Sequence, residues 1–266
     1  MTDYDAQVLL LGPDGYWKLD EASGLSFADS TAGAHPLVAG AGAVENYRIP
    51  GPSPAHIPFA VDFLNVNPPA CATGTVGQRA IGASFTVECW FGGVGAIAAP
   101  LGLIVKGDAA VEQRPWYALS LDTSGRPIWW FRNVAGTDFK LTGYGNLADA
   151  SYTNRGPYHH IVGTYTPGTA DLYVDGIHQV QLAVPNTGWG TGAQGLQLGN
   201  FGANIWGGPW LAAVAIYPGQ LSAAQVTSNF TLGVEGAPRT FRDLSDQLAA
   251  FQVDLSAVLA AVRKTF

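Results

Sequence analysis

Apolar residues in this chain recur with a period of two in short runs, and the runs stop at Gly, Pro, Asn or Asp. From Phe85 to Phe91, Phe85, Val87, Cys89 and Phe91 fall on one side and Thr86, Glu88 and Trp90 on the other, the alternation of a β-strand. The same reading predicts strands over Tyr16 to Leu19, Phe59 to Val66, Leu101 to Lys106, Trp116 to Leu121 and Ile128 to Arg132. It continues with Ile161 to Tyr165, Leu172 to Val174, His178 to Val184, Leu196 to Leu198 and Leu211 to Tyr217. The connections have turn chemistry. Pro167-Gly168 joins two of these runs, and Asp175-Gly176 is a two-residue hairpin signal in which glycine supplies positive φ. Strands so short cannot bury a core in pairs and must share a multi-stranded antiparallel sheet. One short helix is predicted after Pro218-Gly219, where Ser222 and Gln225 form an S-x-x-Q capping box, running through Phe230.

Composition narrows the fold class to all-β. The 266 residues include 34 Gly and 17 Pro, a density of turn residues that suits many strands. Charged residues make up 12%, about half the roughly 25% of an average domain. A net charge of −7 with 13 Lys plus Arg offers no basic stripe, so nucleic acid is not an expected partner. No run of about 18 apolar residues suggests a membrane span. Asp3 and Asp5 stand where a secretory signal carries Lys or Arg, so export by the general route is not expected. Cys71 and Cys89 are too few for a disulfide framework and are read as two unpaired thiols, Cys89 buried.

The segments GYWKLDE, the Asp29-Ser30 turn, SFTVECWF, YHHIVGTY followed by LYVDG, and WLAAVAIYPGQLSAAQV follow one another along the chain. Their order resembles the laminin-G-like, concanavalin A-like jelly-roll superfamily over about Leu9 to Leu232. The resemblance implies an antiparallel jelly-roll β-sandwich. It also looks like the versions carried by tail and fibre proteins of tailed bacteriophages, which implies a virion location with other virion proteins as partners. Such domains bind glycans, mediate adhesion or act as spacers, and the fold alone does not choose among these.

The predicted organisation is a jelly-roll domain over 1–233, a linker over 234–239 and an amphipathic helix over 240–266. Phe241, Leu244, Leu248, Phe251, Leu255, Val258 and Val262 are spaced alternately three and four residues apart, a heptad seam. A lone helix of about 40 Å, at ~1.5 Å per residue, is marginal in water unless its apolar stripe is covered. Self-association, with a trimer as the favoured number, is the expected cover, and folding back on the sandwich is the alternative.

Candidate chemistry favours binding over catalysis. The chain has five Glu, and no E-x-D-x-x-E set places catalytic carboxylates on one strand face. Glu88 is expected to make a cross-strand or loop hydrogen bond. His159 and His160 are adjacent in a strand and must point to opposite faces, which prevents joint ligation of one metal. No cofactor is required by any motif. Calcium, which related sandwiches hold with loop carboxylates, has Asp29, Asp62 and Asp175 as candidate ligands. Glycan is the expected ligand class, because indole faces stack on the C–H faces of pyranose rings. The candidate residues are Trp189, Trp206 and Trp210 in Gly-rich contexts, with Trp116 as a weaker member. The leading functional expectation is therefore a non-enzymatic phage tail or fibre protein that oligomerises through its C-terminal helix and contacts host-surface glycans. A free-standing bacterial carbohydrate-binding module is the alternative, and a glycoside hydrolase a distant third.

Overall fold

The computed structural model describes residues 2–39, 44–63, 70–72, 83–94, 97, 100–107, 115–133, 135–148, 157–184, 195–199 and 209–235. The chain divides into two compact units, Met1–Gly236 and Ala237–Phe266. The heptad residues Phe241, Leu244, Leu248, Phe251, Leu255, Val258 and Val262, with the rest of the predicted helix, lie outside the described residues. In chain order the first unit holds α1 (Asp3–Leu10), β1 (Gly15–Trp17), β2 (Ser26–Phe27), β3 (Leu37–Val38), β4 (Val44–Ser53), β5 (Ile57–Phe63) and β6 (Ala70–Ala72). There follow β7 (Phe85–Gly92), β8 (Leu101–Gly107), β9 (Pro115–Leu121), β10 (Pro127–Arg132) and β11 (Asp138–Thr142). The last are β12 (His159–Thr166), β13 (Thr169–Val174), β14 (Ile177–Ala183), β15 (Leu196–Leu198), β16 (Trp210–Tyr217) and α2 (Ala223–Val234).

The strands form two eight-stranded antiparallel sheets. Sheet one runs β14-β13-β12-β7-β16-β5-β4, with β1 on β16, and sheet two runs β11-β10-β9-β8-β15-β6-β3-β2. This is the expected jelly-roll sandwich. Asp175 (φ +51°) and Gly176 (φ +75°) make the predicted two-residue turn between β13 and β14. Between the sheets, Phe85, Val87, Cys89 and Phe91 of β7 face Leu103, Tyr117, Leu119 and Trp129 of sheet two. Trp129 also donates from Nε1 to the Thr164 carbonyl at 3.1 Å, a hydrogen bond that ties sheet two to sheet one inside the core. Gly163 leaves room for that indole, since a Cβ there would stand 2.4 Å from its Cδ2. Burial pushes the Cys89 thiol well up, so it stays protonated and unreactive.

The other face of β7 is buried too, and two helices cover it. All eight residues of β7 are buried, because Trp90 belongs to a second apolar cluster with Tyr4 and Val8 of α1 and Val226 of α2. Tyr4 Oη accepts a 3.1 Å hydrogen bond from Trp90 Nε1, and the Phe230 ring stacks on Trp90 at 5.8 Å. Helix α1 is not among the elements that the apolar pattern predicts, because its eight residues bury only Tyr4, Asp5 and Val8. Its start is nonetheless encoded: Thr2 and Asp5 form a complete capping box. Helix α2 begins at the predicted Ser222 cap and extends to Val234, one turn beyond Phe230. Among the described residues no helix is long and apolar enough to cross a membrane.

Asp5 both caps α1 and docks it. Its carboxylate accepts from Tyr16 Oη at 2.7 Å, Lys18 Nζ at 2.9 Å and Thr2 N at 3.1 Å. Burial pushes the Asp5 carboxyl up, but hydrogen bonds from Lys18, Tyr16 and Thr2 and the Lys18 charge outweigh it, so it sits below the usual range. A depressed folded value stabilises the protein above the unfolded carboxyl value of about 3.9, and this contribution is lost as pH falls through the folded value. Urea midpoints measured from neutral pH downward are therefore expected to separate wild type from Asp5→Asn near neutrality and to converge below about pH 4. A constant gap across that range would contradict the role given to Asp5.

Candidate functional site

On the helix-bearing face of sheet one, strand register assembles a row of side chains from β4, β5, β16 and the segment before β12. Asn46 pairs with Asp62, Asp62 with Trp210, and Trp210 with Gly92. Tyr158 lies against Gly92, where an added Cβ would come within 3.1 Å of its ring. Its ring centroid is 6.2 Å from that of Trp210, and its hydroxyl donates to the Pro50 carbonyl at 2.8 Å. Gly93, at φ +65°, admits the indole, because a Cβ there would be 2.3 Å from Trp210 Cδ2. Both rings are half-buried, Asp62 is buried, and Asn46 is exposed. Asn46 Nδ2 donates to Asp62 Oδ2 at 3.3 Å. Among the described residues Trp210 Nε1 is buried without a hydrogen-bond partner.

This set combines apolar ring surface with a carboxylate, an amide and an unused indole N–H. Such a combination suits a ligand with C–H patches and hydroxyl groups. Two of the sequence candidates meet here, Trp210 from the glycan set and Asp62 from the calcium set. Trp210 is the first residue of β16, not a loop residue as expected, because its backbone extends the pairing with β5 and β7. Tyr158 and Asn46 were missed. Tyr158 stands immediately before a predicted strand, and Asn46 lies in Val44 to Ile49, where the apolar residues Val44, Tyr47 and Ile49 are spaced three and then two apart and leave no clean strand alternation to read.

Of the remaining glycan candidates, only Trp116 is among the described residues. Trp189 and Trp206 lie outside the described residues. Trp116 is half-buried at the start of β9 in sheet two, so it belongs to the other sheet. Its neighbour Trp130 faces away from the intersheet core and is held within its own hairpin. Trp130 Nε1 donates to Asp138 Oδ1 at 3.2 Å, and Lys140 Nζ lies 3.8 Å from its ring centroid. Arg132 grips the same Asp138 through contacts of 2.6 and 2.7 Å and holds its carboxyl below the usual range.

The three candidate calcium ligands do not converge. Asp29 accepts from Tyr16 N, Thr31 N, Thr31 Oγ1 and His35 N, all at 2.9 to 3.0 Å, which closes the loop between β2 and β3. Asp175 accepts from His160 N and pairs with His159 Nδ1, each at 2.8 Å. Among the described residues no group of three or more His, Cys, Asp or Glu is placed to hold a metal ion.

Glu88 is sealed beneath the helices and closed to any substrate. It accepts from Tyr217 Oη at 2.6 Å and Asn229 Nδ2 at 3.1 and 3.2 Å, with His160 Nε2 at 3.3 Å. The expected cross-strand bond is present, joined by one from α2. Burial and the nearby Glu88 push the Tyr217 hydroxyl well up, so it remains a donor.

Residues 70–227 match the family described as the concanavalin A-like lectin/glucanases superfamily. Among solved structures, the binding domain of Paraclostridial Mosquitocidal Protein 1 superposes with a TM-score of 0.59 at 14% identity, over 82% of this chain and 51% of that one. The botulinum neurotoxin serotype G binding domain gives 0.60 at 13% identity, over 83% and 51%. Trypanosoma rangeli sialidase gives 0.55 at 15% identity, over 81% and 32%. The chain thus spans about half the length of the toxin domains and a third of the sialidase, and at these identities the likeness is one of fold. No curated protein matches the sequence significantly. The match over more than half of its length makes the chain a member of the concanavalin A-like lectin/glucanase superfamily, with a lectin-like jelly-roll domain.

Proposed function

We propose that this superfamily member is a non-catalytic recognition module that binds a glycan at the Asn46–Asp62–Trp210–Tyr158 row. The observation that carries the reading is the pair of half-buried rings, Trp210 and Tyr158, set on one sheet face beside the Asp62 carboxylate and the exposed Asn46 amide. Two of the superposable proteins are themselves named as binding domains, which agrees with a binding role. The strand-borne acid Glu88 is fully enclosed, which weighs against a catalytic role for it.

In the fuller form of the proposal, the module is displayed in several copies on a bacteriophage tail or fibre. The heptad seam from Phe241 to Val262 would gather the copies, and host-surface glycans would be the target. The repeat itself is the support for oligomerisation. The scarcity of charge suits a surface partly covered by neighbouring virion proteins.

A glycan array probed with the full-length protein tests the binding claim. At least one neutral or acidic glycan class should bind, and Trp210→Ala should weaken it about tenfold or more, or ~1.4 kcal/mol. A blank array, or binding indifferent to both Trp210→Ala and Asp62→Ala, would remove this row as the site.

A further inference from the structure

Formal charge is divided unevenly between the two sheets. The strands of sheet one carry four acids, Glu45, Asp62, Glu88 and Asp171, against one Lys or Arg, Arg48. The strands of sheet two reverse the balance, with Lys106, Arg132 and Lys140 against one acid, Asp138. The sequence extends this pattern around the Asn46–Asp62–Trp210–Tyr158 row. No Lys or Arg occurs from Ile49 to Gln78, from Ala80 to Val105 or from Gly156 to Pro238, spans that contain β5, β7, β12 and β16.

The groups within two residues of the row that can carry positive charge are engaged elsewhere. Arg48 lies with its guanidinium carbon 4.9 Å from the Phe59 ring centroid, and its Nε donates to the Asp20 carbonyl at 2.8 Å. His159 pairs through Nδ1 with Asp175 at 2.8 Å, and His160 through Nε2 with Glu88 at 3.3 Å. Asp62 is a buried carboxylate that accepts from Asn46 Nδ2 at 3.3 Å and lies across the ladder from Trp210.

Glycans divide on this basis. A sugar carboxylate or sulfate is held by Arg, Lys or clustered donors that offset its charge. Here it would be set beside Asp62, where partial exclusion of water strengthens the repulsion between like charges. A neutral sugar meets no such opposition, since its hydroxyls donate to the carboxylate while its C–H faces rest on the rings.

We infer that the row admits uncharged glycans and rejects those ending in an acidic sugar, with Asp62 as the residue that sets this specificity. The inference rests on the row being the glycan site, and it adds to that reading the class of sugar.

An array of matched pairs tests it with the full-length protein, each pair being a neutral hexose-terminated oligosaccharide and its counterpart ending in the hexuronate or the sulfated hexose. In any pair that binds, the neutral member should bind about tenfold or more tighter. Asp62→Asn, which keeps an oxygen for the Asn46 amide, should narrow that gap to about threefold or less. Asn46→Lys, which sets a cation beside Asp62, should narrow it too, and serves if the first variant melts early. Equal or tighter binding of the acidic members, still lost in Trp210→Ala, would overturn the specificity and leave the row standing. So would a gap unchanged in both folded variants. Binding of neither member, or binding that survives Trp210→Ala, would remove the row and the inference with it.

Discussion

Trp129→Ala is expected to lower the free energy of unfolding by about 3–5 kcal/mol, the range for removing a large aromatic from a packed core. The ring is fully buried and meets Phe85 at 5.7 Å, Phe131 at 5.8 Å and Tyr117 at 6.0 Å, so three aromatics from two sheets lose a shared neighbour. The space cannot close cheaply. Gly163 opposite the ring has no side chain to move into it, and the backbone of β12 is held by pairing on both sides. The Thr164 carbonyl also loses its indole donor. Urea unfolding followed by fluorescence and circular dichroism measures the change, and Trp129→Phe should recover about half because it refills part of the volume. A loss below about 1 kcal/mol for Trp129→Ala would mean that the intersheet core is not organised around this ring.

Glu88→Ala should cost a comparable amount, about 3–5 kcal/mol, for a different reason. The substitution removes an acceptor shared by Tyr217, Asn229 and His160, all buried, and leaves their donors without water or protein partners. Each buried group left unsatisfied costs about 1–3 kcal/mol. The damage should be directional. Asn229 belongs to α2, and His160 stacks on Trp90 at 4.9 Å, so losing Glu88 loosens the helices before the sandwich. Limited proteolysis should therefore cut Glu88→Ala within α1 or α2 faster than wild type, whereas Trp129→Ala should expose both sheets together. Asp138→Ala provides the contrast. Asp138 is exposed, so its pair with Arg132 contributes about 0–1 kcal/mol, and even with the loss of its hydrogen bond from Trp130 the cost should stay below that of Glu88→Ala. Equal losses for the Glu88 and Asp138 variants would refute the sealed network.

The β7 alternation was legible at once, yet its meaning was only half available. Period two separates Phe85, Val87, Cys89 and Phe91 from Thr86, Glu88 and Trp90 but does not say what lies over either side. Glu88 was expected to make a cross-strand or loop hydrogen bond, and it became the centre of a buried network because α1 and α2 pack there. Helix α1 escaped notice for a local reason: eight residues with a narrow apolar stripe differ little from a loop. The Thr2/Asp5 capping box was the signal that would have found it.

Local chemistry determined the turns, the helix start at Ser222, the antiparallel strands and the opposite orientations of His159 and His160. Each depends on φ preferences, capping or side-chain alternation within a few residues. The meeting of Trp210 with Asp62, and the place of β14 at the end of its sheet, depend on which strands become neighbours and in what register. Alternation fixes the face of a side chain on its own strand, but nothing within that strand specifies the residue across the ladder. That choice was made by the burial of two sheets against each other and of two helices against one of them.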